Sequence, residues 1–144
     1  MRTFTYSAHI ERSPDEVFAF MMDFSTAPRW RSLVKRLEVV GCGPVHRGTQ
    51  VVVTMDVMGK VKQTVSEIWS YDPPRRVGFR NTESNITGQF EYALAPERDG
   101  TRITFTADVR AKGFMWLVLP LVIRSHRARY REQLDRLKAV VERS

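Results

Sequence analysis

The side chains best suited to chemistry in this chain are three histidines, at positions 9, 46 and 126, and they are scattered along it. No glycine-rich phosphate loop, nucleophile elbow or cluster with metal-ligand spacing accompanies them. His126 is the candidate of most interest. Helical spacing places it with Tyr130 and Leu134, so it reads either as a polar anchor or acid/base group in an interior or, more commonly, as a histidine at the edge of a packed face bonded to a backbone carbonyl. His9 falls on the polar face of its strand and is expected to meet solvent. Tyr71, Tyr92 and Tyr130 each pair a hydroxyl with an apolar ring, which suits a cavity wall as well as a core. Asp56 and Glu67 are carboxylates inside strands. Alternation would put Glu67 on one face with Val65 and Trp69, a poor mix of charge and bulk. A bulge before Asp72-Pro73 would change that, so the facing of Glu67, and likewise of Arg80, stays open. Cys42 is the one cysteine; it excludes an internal disulfide and a cysteine-pair metal site, and it reads as an incidental free thiol. Neither a metal nor a cofactor is expected.

The elements that position these groups are legible from periodicity. Phe4, Tyr6, Ala8 and Ile10 alternate with Thr3, Thr5, Ser7 and His9, the pattern of a half-buried strand. Ser13-Pro14-Asp15-Glu16 is a capping box with proline in the first turn, and it opens a short helix carrying Val17, Phe20, Met21 and Phe24. Residues 25–31, with Pro28 and Trp30, form a turn or second short helix. Six strands follow, at Leu33–Val40, Gln50–Met58, Val61–Tyr71, Arg76–Glu83, Ile86–Leu94 and the alternating run through Ile103, Phe105, Ala107 and Val109. Gly59-Lys60, Asp72-Pro73-Pro74 and Asp99-Gly100 supply the turns. Short turns without crossover helices make the strands antiparallel neighbours. Finally Ile123, His126, Tyr130, Leu134, Leu137 and Val141 draw one narrow stripe along a long helix, and the sheet is the surface available to it.

The 144 residues suit one domain spanning 1–144, with 42% hydrophobic and 27% charged residues, as in ordinary globular proteins. The net charge is +7, and arginines gather at 124, 127, 129, 131, 136 and 143. Without a nucleic-acid motif that run reads as a solvated helix face, and no nucleic-acid partner is expected. The N-terminus lacks a basic-then-apolar signal pattern, so a cytoplasmic protein is expected. The loudest feature is the apolar run 114–123, ten residues with Pro120 near its end. It is about half the length of a membrane span. The simpler expectation is that it caps a cavity mouth and packs against the first short helix, with the regular helix starting near Pro120. The sharper one is a lid or a transient membrane contact, with the arginines meeting anionic headgroups.

Ile10-Glu11-Arg12-Ser13-Pro14-Asp15-Glu16-Val17-Phe18, Asp23 through Pro28 to Trp30, Tyr71-Asp72-Pro73-Pro74-Arg75-Arg76-Val77 and Gly100-Thr101-Arg102-Ile103-Thr104 together resemble the START-like helix-grip superfamily, in its bacterial polyketide cyclase/dehydrase-like (SRPBCC) branch. The resemblance covers essentially the whole chain and rests mostly on turns, caps and core positions. It implies an α+β fold: a seven-stranded curved antiparallel sheet, two short N-terminal helices, and one long C-terminal helix packed over the concave face. It also implies a cavity between sheet and helix that holds a small hydrophobic ligand such as a lipid or polyketide. The residues expected to line that cavity are Trp69, Phe90, Tyr92, Phe105, His126 and Tyr130. A cyclase or dehydrase using His126 is the alternative reading, and a membrane- or protein-docking module is a third.

Overall fold

A computed structural model describes residues 2–31, 33–83, 86–113 and 115–143; the side chains at 2, 3, 82, 83, 86, 115, 119, 122, 125 and 126 lie outside that description. The chain forms strand β1 (Arg2–Ile10), helix α1 (Pro14–Met22), a 3-10 turn (Phe24–Thr26) and helix α2 (Ala27–Trp30). Six strands follow: β2 (Val34–Val39), β3 (Gln50–Val57), β4 (Lys60–Asp72), β5 (Arg76–Glu83), β6 (Ile86–Glu97) and β7 (Gly100–Ala111). Helix α3 (Met115–Glu142) ends the fold. Every strand pairing is antiparallel, and the sheet order is β1-β7-β6-β5-β4-β3-β2. The meander therefore runs from β2 to β7, and β1 closes onto β7. The two short helices carry the chain from one sheet edge to the other.

Local chemistry explains the corners. Ser13 caps α1 by accepting from the Glu16 amide at 3.2 Å, with Pro14 in the first turn, where its missing N–H costs no helix bond. Met58 and Gly59 both take positive φ, the backbone a two-residue hairpin needs to match strand twist. At Gly100 an added Cβ would lie 2.3 Å from the Ile10 carbonyl oxygen, so only glycine lets β7 begin so close to the end of β1.

One face of the sheet carries the core. Phe90, Tyr92 and Leu94 of β6 and Ile103, Phe105, Ala107 and Val109 of β7 are buried on it, with Ile68 and Val77 from β4 and β5. Helix α3, about 42 Å long at 1.5 Å per residue, lays Ile123, Leu134, Leu137 and Val141 over this face. It packs against β1, β7 and α2. Its C-terminal end is tied down by Glu142, which accepts from the Glu11 amide at 2.8 Å and from Lys138 at 2.8 Å; the lysine bond is the main reason its carboxyl sits below the usual range.

Two expectations need correction. α3 starts at Met115 rather than near Pro120, which lies inside the helix. The proline removes one helix bond, to the Trp116 carbonyl, on an exposed turn that water can reach. The apolar run is not closed by packing either: Trp116, Leu117 and Leu121 are 62%, 72% and 69% exposed, while Ile123 is buried. The arginines at 124, 127, 131 and 143 are exposed, and two of them also cover rings. Arg127 lies over the Phe4 ring at 5.6 Å and Arg131 over the Tyr6 ring at 4.9 Å, so their stems shield the β1 aromatics.

Candidate functional site: a cavity under the C-terminal helix

Because α3 crosses β1, β7 and α2, the other half of the sheet curves away beneath it, and a cavity of about 260 Å³ opens there. Its floor is the buried strand residues of the lining: Val53 of β3, Ser66 of β4, Phe79 of β5 and Phe90 of β6. Its roof is α3, through Arg129, Tyr130 and Gln133. Leu33, Val57 and Lys62 also line it but are exposed, and so mark the mouth. Met55, Thr64 and Asn81 stand between floor and mouth, and Arg31 and Val34 form the wall where the chain leaves α2 for β2. The strand residues follow alternation: Val53, Met55 and Val57 share one face of β3, and Lys62, Thr64 and Ser66 share one face of β4.

Behind the floor is a packed aromatic layer. Phe105 lies 4.7 Å from the Tyr130 ring and 4.9 Å from the Tyr92 ring, and stacks on Phe90 at 5.9 Å. Phe90 and Tyr130, 5.0 Å apart, are the members of this layer that reach the cavity. The polar end is equally ordered. Gln133, buried on α3, donates to the Tyr92 hydroxyl at 2.8 Å. The Arg31 guanidinium lies beside the same hydroxyl, and its carbon stands 4.8 Å from the centre of the Phe79 ring and 5.3 Å from that of Trp30. Arg31 is held there by the end of α2, where its amide donates to the Ala27 carbonyl at 2.8 Å and the backbone turns extended.

Burial raises the Tyr130 phenol from 10.0 to about 12, with the neighbouring Tyr92 adding to the rise and Arg31 opposing it. Tyr130 is thus a neutral hydroxyl at physiological pH. The unfolded phenol ionises near 10.0 while the folded one holds its proton to about 12, so stability falls as pH rises between those values. We expect the urea midpoint to drop over that window, and to drop less in Tyr130→Phe. An identical drop in both would contradict the assignment.

The cavity differs from the sequence expectation in named ways. Phe90 and Tyr130 line it. Tyr92 and Phe105 do not: they are fully buried behind it, in the aromatic layer. Trp69 is on the opposite face of the sheet, with its indole N–H donating to the Phe90 carbonyl at 3.1 Å and its ring filling the space a Cβ on Gly78 would need. The pairing shifts between Ile68 and Ser70, so Ile68 and Tyr71 both point inward with two residues between them. Strict alternation cannot foresee that extra residue. Glu67 and Arg80 lie ahead of that irregularity and pair across β4 and β5 on the outer face, 3.9 Å apart. The His126 side chain lies outside the described residues, though its backbone is in α3. His9 bonds Glu97 at 2.9 Å on the outer face, where Arg102 also reaches Glu97, and His46 contacts the Arg47 carbonyl at 2.8 Å; neither lines the cavity. Arg31, Arg129 and Gln133 were missed. Gln133 falls three residues after Tyr130 on the apolar stripe, and a buried polar side chain in that place is the one signal the sequence offers for it.

A curved antiparallel sheet gripping a long C-terminal helix around an internal cavity is the START-like, helix-grip class of protein. The chain belongs to the family described as polyketide cyclase / dehydrase and lipid transport, which matches it over residues 1–142. Solved structures agree on the fold. TTHA0849 from Thermus thermophilus is 22% identical, with 97% of each chain covered and a TM-score of 0.77. A START superfamily protein from Mycobacterium smegmatis is 14% identical, with 98% of this chain and 97% of that one covered and a TM-score of 0.78. The di-domain ARO/CYC BexL from the BE-7585A biosynthetic pathway is 20% identical over 99% of this chain and 47% of that one, with a TM-score of 0.84. No curated protein matches the chain in sequence. Among the described residues, no helix is long and apolar enough to cross a membrane.

Proposed function

We propose that residues 1–144 form one cytoplasmic ligand-holding domain that binds a small molecule with an apolar body between the sheet and α3. The observation that carries this reading is the cavity itself. Its volume, about 260 Å³, falls just under the range of about 300–1,000 Å³ common for small-molecule sites, which suits one compact ligand rather than a two-chain lipid. Val53, Phe79 and Phe90 give that ligand an apolar bed at about 25 cal/mol per Å² buried. The exposed free thiol of Cys42 suits a reducing compartment. The family's description and the ARO/CYC neighbours also raise a cyclase reading. Such an enzyme needs a group that takes a proton near neutral pH. Tyr130, protonated to about 12, serves as a hydrogen-bond donor and not as that base.

The test is titration with the neutral dye N-phenylnaphthylamine, which brightens in apolar surroundings. Saturable, one-to-one brightening that octanol competes away is expected. An absence of saturable binding of either compound would overturn the reading.

A second reading has its own observation. The exposed Trp116, Leu117 and Leu121 precede the exposed Arg124 and Arg127 on α3, the combination that settles at an anionic membrane surface. The wild-type protein should then sediment with phosphatidylserine-containing vesicles at low salt, and the triple serine variant at 116, 117 and 121 should stay in solution. Wild-type protein left in the supernatant would dismiss membrane contact.

A further inference from the structure

The charges around the cavity are all of one sign. Arg31, Lys62 and Arg129 line it, and no aspartate or glutamate is among the described lining residues. Holding the Arg31 and Arg129 guanidiniums beside a half-enclosed apolar space is unfavourable, because charge is poorly screened there and interacts at longer range than in water. The two aromatic rings under Arg31 offset part of that cost and also hold the guanidinium still. A fixed guanidinium offers a planar fork that matches a carboxylate. Gln133 and Tyr130 stand beside it with further polar atoms, while Val53, Phe79 and Phe90 give the space an apolar side. The chain's net charge of +7 draws anions toward the same mouth.

We infer that the cavity takes an organic acid, a compact apolar body ending in a carboxylate, with the carboxylate at Arg31 and Arg129 and the apolar part over Phe79 and Phe90. This rests on the ligand-holding reading above and adds the chemical class of the ligand. A charge-assisted bond to a pre-positioned guanidinium accounts for roughly tenfold or more in affinity over a neutral hydroxyl in the same place.

Octanoate and octanol test it, since they share one chain and differ at its head. Calorimetric titration of the wild-type protein at low ionic strength is expected to show octanoate binding about tenfold or more tightly than octanol. That ratio should fall toward one in Arg31→Gln, and Arg129→Gln should lower it independently, which keeps the assignment testable if the Arg31 variant fails to fold. Octanol binding as tightly as octanoate in the wild-type protein would overturn the inference and leave the ligand-holding reading standing. Binding of neither would bring down both. A ratio that persists in both folded variants would remove the carboxylate from these arginines and refute the assignment.

Discussion

Replacing Phe105 by alanine is expected to lower stability by about 3–5 kcal/mol, the largest effect of any single change considered for this fold. Phe105 is 1% exposed and touches four other rings, those of Phe4, Phe90, Tyr92 and Tyr130. Two of these, Phe90 and Tyr130, line the cavity. The ring therefore joins β7 to both the floor and the roof of the site. Its removal takes away the burial of a large apolar side chain and leaves a hole that the sheet cannot close, because Phe105 is paired on both sides, with Tyr6 of β1 and Tyr92 of β6. For a chain of this size the loss corresponds to a melting temperature lower by about 10–20 °C. Urea unfolding followed by circular dichroism would measure it. A loss under about 1 kcal/mol would show that the aromatic layer is not the centre of the core.

Ser66→Phe is expected to have the opposite profile, with binding lost and the fold kept. Ser66 is buried on the cavity floor, next in line to Thr64 on the same face of β4 and opposite Val51 of β3. A phenyl group there projects into space a ligand would occupy, so it fills the cavity and does not displace packed atoms. Affinity for N-phenylnaphthylamine should drop by about 100-fold or more, which is about 2.7 kcal/mol. The melting temperature should change far less than in Phe105→Ala, since overpacking is costly only where there is no room. Unchanged dye affinity in a folded Ser66→Phe protein would place the dye elsewhere.

The contrast between these two positions shows what could be read from the chain alone. Phe90, Tyr92 and Phe105 announce an apolar sheet face by simple alternation, and Leu134, Leu137 and Val141 announce the helix that covers it. Caps and turns such as Ser13-Pro14 and Gly59 locate the corners, since their backbone requirements are local. Which of the inward residues border empty space is a different kind of fact. It depends on where α3 leans, and the helix leans on β1, β7 and α2, so Tyr92 and Phe105 end beneath other rings while Val53, Ser66 and Phe79 stay uncovered. Trp69 is harder to place, since alternation from Glu67 puts it outside while alternation from Tyr71 puts it inside, and only the irregularity between Ile68 and Ser70 lets both anchors hold. Arg31 carries no signal at all in one dimension. It matters only because the end of α2 delivers it to the rings of Trp30 and Phe79, one adjacent in sequence and one far along the chain.

The most direct test of the central claim, that this space receives a ligand, is a methyl-resolved nuclear magnetic resonance titration of the wild-type protein with octanol. The account predicts saturable shifts concentrated in Leu33, Val34, Val53, Met55 and Val57, whose methyls line the cavity, with Leu117 and Leu121 on the exposed turns of α3 unmoved. Shifts confined to Leu117 and Leu121, or no saturable shift anywhere, would contradict it.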